Sequence, residues 1–108
     1  MALESEGIQL SITVVSVLEL YVGFGLSTKQ VQERKKIEKV LENLLVSPLS
    51  LETAKEAGEI YAEKRRKGIT IDPEDAMIAG ICRANGGVFL TRNVSHFAGI
   101  DGVSVESY

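Results

Sequence analysis

The sequence predicts an α/β domain built on a parallel sheet with helices on both faces. Two observations carry this. Short apolar runs of strand length alternate with longer helical patterns along the chain. Helix-capping residues and glycines fall at the joints between them. The 108 residues suit one domain, residues 1–108, with one core. No internal repeat, low-complexity segment or long linker divides them.

The elements follow in order. Residues 2–7 read as the last turn of a helix closed by Gly7. Residues 8–13 read as a strand. Residues 14–24 form an almost wholly apolar helix, ended by Gly23, Gly25 and Ser27. Thr28 caps a charged helix over 29–44, whose Ile37, Val40, Leu41 and Leu44 make one apolar stripe. Residues 45–49 read as a short strand, and its Pro48 suits a sheet edge. Ser50 caps the next helix, with Leu51, Ala54, Ala57 or Gly58, and Tyr61 expected to face inward. That helix ends in Lys64-Arg65-Arg66-Lys67-Gly68, basic residues at a C-terminus followed by glycine. Asp72-Pro73-Glu74-Asp75 opens an apolar helix that closes at Asn85-Gly86-Gly87. Residues 88–90 form a strand leading straight into Thr91-Arg92-Asn93. A turn over 93–99 and a weak strand over 103–106 complete the pattern.

The net charge of −3 excludes coating of nucleic acid by bulk charge but leaves room for a local basic groove. A single cysteine, Cys82, rules out an internal disulfide and fits a reducing, cytoplasmic setting. Its place in an apolar helical pattern makes it a core residue rather than a nucleophile. The acidic start MALESEG is unlike a signal peptide. Residues 8–26 are long and apolar, yet Gln9, Ser11, Thr13, Ser16 and Glu19 interrupt them. A glutamate in mid-span is costly in lipid, so a buried strand plus helix is expected and no membrane segment. Neither a Walker pattern nor GxGxxG is present, which weighs against another phosphate-binding α/β family.

Function in parallel sheets gathers at the carboxyl ends of the strands, and Thr13 and Thr91 lie at two such ends. Glu19 is the only charged residue between Gly7 and Ser27. Helical spacing puts it on or beside the apolar face, where a glutamate needs a partner, a metal or a route to solvent. Asp72 fits an N-cap, with Pro73 at N1 and Asp75 at N3. Glu74 is expected to face solvent. Asp75 starts the inward stripe that continues at Ile78 and Cys82. An acid at a helix N-terminus is stabilised by about 0.3–1 kcal/mol without any further role. Glu19 and Asp75, from different helices, together suggest a hard-cation site. Magnesium is commonly held by one or two carboxylates plus waters and substrate phosphates. Asn93 can add a neutral oxygen and Thr91 a hydroxyl. Arg92, beside them, is the expected phosphate contact. The other basic runs, Arg34 to Lys36, Lys64 to Lys67 and Arg83, read as solvated helix faces. His96, the single histidine, reads as a surface or capping residue.

These residues resemble a known family. SITVVSVLELYVGF is similar to the second-strand segment of PIN-domain proteins. GITIDPEDAMIAGICRANGGVFLTRNVSHF is similar to their later block, and VSHFAGIDGVSVE to their tail. The nearest group resembled is the VapC-type toxins of prokaryotic toxin–antitoxin pairs. The resemblance implies a three-layer PIN-like parallel sheet and an Mg²⁺- or Mn²⁺-dependent endoribonuclease. It further implies an RNA substrate, a homodimer and an antitoxin that blocks the site. Glu19 matches the family's second acid and Asp75 its third, both as metal ligands. Asn93 falls where many members carry a fourth acid, and His96 where others have Asp before Phe.

One departure is expected. The family's central first strand, with the first catalytic aspartate, has no counterpart, so the chain reads as N-terminally truncated relative to the family. That strand would lie between residues 8–13 and 88–91. Those two strands are therefore expected to leave a gap or to pair directly, and exposed edges invite a second chain. The alternative to a nuclease is a catalytically inactive PIN-like binding module or remnant.

Overall fold

The computed structural model describes residues 8–108. The helical turn expected over 2–7 lies outside the described residues. Strand β1 spans Leu10–Thr13 and runs directly into helix α1, Val14–Leu26. Thr13 makes that abrupt switch possible, because its Oγ1 accepts the Ser16 backbone N–H at 3.0 Å and caps the helix. Helix α2, Gln30–Leu41, follows a short connection. It is shorter at both ends than expected. Lys29 rather than Thr28 is its N-cap, and the residues before the next strand leave the helix early. Ile37 is buried, as its stripe requires.

Strand β2, Leu45–Ser47, leads to helix α3, Leu51–Arg66. Ser50 and Thr53 form a reciprocal capping box at its start. The inward face of α3 differs from the expected one. Thr53, Ala57 and Ile60 are buried, whereas Leu51 is 74% exposed. The capping box turns Thr53 inward, and the stripe then repeats at i+4 and i+7. Helix α4, Pro73–Asn85, packs closely on α3. The closest approach is at Gly80, where an added Cβ would lie 2.6 Å from the Ala57 nitrogen and 2.7 Å from the Thr53 carbonyl oxygen. The helix pair is thus phased by contact between backbones, which hydropathy alone does not report.

Gly86, at φ 70°, closes α4 and feeds strand β3, Val88–Thr91. A 3-10 turn, Val94–Phe97, and strand β4, Ser104–Ser107, complete the described chain. The four strands are all parallel, in the order β2-β1-β3-β4. Strand β2 is an edge strand, as expected, but it ends at Ser47, so Pro48 follows the strand rather than lying within it.

The strands expected to flank a missing neighbour pair directly. Leu10 lies opposite Val88, and Ser11 opposite Phe89. The ladder stops there, two residues short of Thr13 and Thr91. One hydrophobic cluster joins α3, α4 and β3 through Ile60, Ile78, Ile81, Cys82 and Phe89. A second joins β1, α1 and α2 through Ile12, Leu20 and Ile37, with Phe24, Leu44 and Tyr108 packed against it. Helix α1 leaves an apolar stripe outward: Leu18 is 58% exposed, Val22 52% and Leu26 81%. None of the described helices is long and apolar enough to cross a membrane.

Candidate metal centre

Helix α1 starts at the carboxyl end of β1, and α4 starts near the carboxyl end of β3. The two helix beginnings bring Glu19 and Asp75 together. Glu19 is the sixth residue of α1 and stands next to the buried Leu20, so its carboxylate is only partly solvated. Burial is the main cause that pushes the Glu19 carboxyl above its ordinary 4.5. The negative charges of Glu74 and Asp75 push it further, and Arg92 pulls it back.

Asp72 caps α4, accepting the Glu74 N–H at 2.9 Å. This fixes the first turn and directs Asp75 inward, leaving its side chain only 15% exposed. Glu74 faces solvent, as expected. Its residue is exposed, and its negative charge is near enough to act on Glu19.

His96 is a surface residue, as expected, but it also contacts Asp75. Its Nδ1–H donates to Asp75 Oδ2 at 2.9 Å. An ionised carboxylate only accepts, which fixes the donor. The backbone of Asn93 builds this contact. Its N–H donates to Thr91 Oγ1 at 3.3 Å, and its carbonyl accepts the His96 N–H at 3.0 Å. The tight turn swings His96 back toward the start of α4. The signal available in the sequence was this three-residue spacing after Thr91-Arg92-Asn93.

Asn93 itself is exposed, and no hydrogen bond joins its side chain to Glu19 or Asp75 among the described residues. Thr91 is buried, 2% exposed, and its hydroxyl holds the turn. Arg92 stands beside the carboxylates, with its guanidinium carbon 5.8 Å from the centre of the Tyr108 ring. Tyr108 carried no signal in the sequence. Burial raises its hydroxyl's pKa; the Arg92 charge lowers it and the Glu19 charge raises it.

Among the described residues, no three His, Cys, Asp or Glu side chains form a group able to hold a metal alone. The donor chemistry nevertheless suits a hard divalent cation. The Asp75 charge reaches the Glu19 carboxyl from a second helix, and such repulsion is the charge a bound ion neutralises. Two carboxylates with waters and a substrate phosphate are a usual magnesium environment.

Residues 2–102 match the family described as the PIN domain. The chain is 30% identical over 100 residues to the tRNA(fMet)-specific endonuclease VapC of Salmonella typhimurium, covering 93% of this chain and 76% of that protein. Its fold is similar to that in VapBC2 of Rickettsia felis bound to a DNA fragment from their promoter. There the TM-score is 0.79 at 26% identity, over 93% of this chain and 75% of that one. DNA-bound VapBC from Salmonella typhimurium gives a TM-score of 0.76 at 31% identity, over 90% and 74%.

Proposed function

Because the chain belongs to the PIN-domain family, we propose that it is a metal-dependent endoribonuclease of toxin–antitoxin type. The observation that carries this reading is the approach of Glu19 and Asp75 from two helices, near enough for their charges to interact, with Arg92 alongside. The VapC relative's name as an endonuclease acting on tRNA(fMet) supports an RNA substrate here.

Glu19 and Asp75 would hold the ion, Mg²⁺ or Mn²⁺. When bound, that ion supplies stabilisation of charge building on the phosphodiester. The remaining roles fall to the protein's own groups. His96 orients Asp75 through Nδ1–H, leaving the other carboxylate oxygen for the cation. Glu74 adds negative charge that draws a cation to the pair. Arg92 contacts a phosphate, aided by its fixed charge and five donors. Asn93 offers an exposed amide to the substrate, and Thr91 holds the turn that presents both residues.

The partner in this reading is an antitoxin, as the VapBC assemblies support. The outward stripe of α1, with Leu18, Val22 and Leu26, gives such a partner or a second copy an apolar surface. A homodimer acting in the cytoplasm completes the proposal.

The test is cleavage of single-stranded RNA in Mn²⁺ by the wild type and by Asp75→Asn. Loss of cleavage in the variant supports the reading; equal cleavage assigns the activity to a contaminant. A second reading rests on the lack of a self-sufficient three-ligand group among the described residues. It makes the chain a non-catalytic PIN-like module that binds RNA or a protein. It predicts RNA binding without Mn²⁺-dependent cleavage.

A further inference from the structure

The Arg92 guanidinium is flanked on one side by an aromatic ring that the chemistry above does not use. Tyr108 packs against the second hydrophobic cluster, beside Leu44, and also lines a groove of about 390 Å³ with Lys39 and Leu90. Its ring is therefore anchored in the body of the domain. The Arg92 guanidinium carbon lies 5.8 Å from the ring centre, within the roughly 6 Å reach of a cation–π contact. On the other side Arg92 is close enough to Glu19 for its charge to act on that carboxyl.

We propose that Tyr108 is a positioning residue: its anchored ring holds Arg92 beside the paired carboxylates, ready to meet a substrate phosphate. An arginine just past a strand end has many rotamers, most of which point away from the carboxyl edge. A ring engages the cation's charge while leaving guanidinium donors for an anion. A carboxylate partner alone would compete with phosphate for those same donors. The contact thus pre-organises a phosphate ligand without neutralising it. This inference rests on the nuclease reading for the identity of the anion as an RNA phosphate.

The experiment uses the full chain and a non-cleavable single-stranded 2′-O-methyl oligonucleotide. Arg92→Ala, Tyr108→Phe, Tyr108→Leu and the double variant Arg92→Ala/Tyr108→Leu are compared. Leucine refills the hydrophobic cluster but lacks an aromatic face, so packing and positioning are separated. Tyr108→Leu and Arg92→Ala should each weaken binding about three- to tenfold and lower the salt slope by about one phosphate contact. Tyr108→Phe should bind like the wild type, and the double variant no more weakly than Arg92→Ala. In NMR spectra, the Arg92 Nε–H should show a ring-current shift in the wild type and Tyr108→Phe, lost in Tyr108→Leu.

Wild-type binding by Tyr108→Leu, additive losses in the double variant, or no binding by the wild type would each overturn the proposal. If binding follows the expected pattern while the wild type cleaves no RNA in Mn²⁺, the hydrolytic reading fails and the positioning role stands.

Discussion

His96 and Asp75 are joined across two elements: Nδ1 of the imidazole lies 2.9 Å from Oδ2 of the carboxylate, linking the turn after β3 to the first turn of α4. The bond leaves Asp75 with one oxygen committed and one available. Groups that hydrogen-bond a metal ligand typically change affinity about 10–100-fold when removed. His96→Ala should therefore weaken Mn²⁺ binding by about tenfold or more, as read by titration calorimetry. Unchanged affinity would make the histidine a structural pin only.

Glu19 gives a stability prediction with a defined sign. Its carboxyl is raised above 4.5, chiefly by burial and then by Glu74 and Asp75. The folded state therefore prefers the protonated form. That preference stabilises the fold fully below the ordinary value and is lost as pH rises through the raised one. Near neutral pH the ionised side chain is a liability, so Glu19→Gln should melt higher than the wild type there. The gap should close in acid, below 4.5. Added Mn²⁺ should raise the wild-type melting temperature and leave that of the variant nearly unmoved. A variant less stable at neutral pH would contradict this electrostatic account.

Gly80→Ala sets two effects against each other. Alanine gains about 1 kcal/mol of helix propensity. Its Cβ would, however, meet backbone atoms of Ala57 and Thr53 at 2.6 to 2.8 Å, and backbone cannot rotate aside. Overpacking wins, with a net loss of roughly 2 kcal/mol. The melting temperature should fall by about 10 °C. A rise would mean that α3 and α4 separate at little cost.

Cys82 should be silent chemically. The residue is 1% exposed, and burial pushes its thiol up to about 12. The thiolate is the reactive form. A thiol reagent such as a disulfide dye should label Cys82 only after denaturant is added. Rapid labelling of the native protein would show that α4 opens.

The interior of the fold was legible because burial leaves a local trace. Ile37, Ile78 and Cys82 announced their faces by spacing, and Ser50 and Asp72 announced helix starts by their side-chain chemistry. The edge strand before Pro48 was legible too, although it ends at Ser47 and excludes the proline itself. The face of α3 was not legible in the same way. The steric contact at Gly80 and the capping box at Thr53 rotate it, and both depend on where α4 lies.

The site divides along the same line. Glu19 and Asp75 stood out in the sequence because a charged residue on an apolar stripe demands a reason. His96 gave only a spacing after Thr91-Arg92-Asn93, and Glu74 and Tyr108 gave less, since an exposed polar group or an isolated aromatic is unremarkable by itself. Their placement near the acids comes from contacts across the chain. The Asn93 turn returns His96 to Asp75, the first turn of α4 brings Glu74 to Glu19, and the second hydrophobic cluster sets Tyr108 under Arg92. By itself the sequence determined the alternation of strands and helices and the family likeness, and it singled out Glu19 and Asp75 as candidates. Each is written in local pattern. Only the tertiary structure decided that β1 and β3 pair directly, and which side chains converge on the acids. Those depend on long-range packing, which no local spacing encodes.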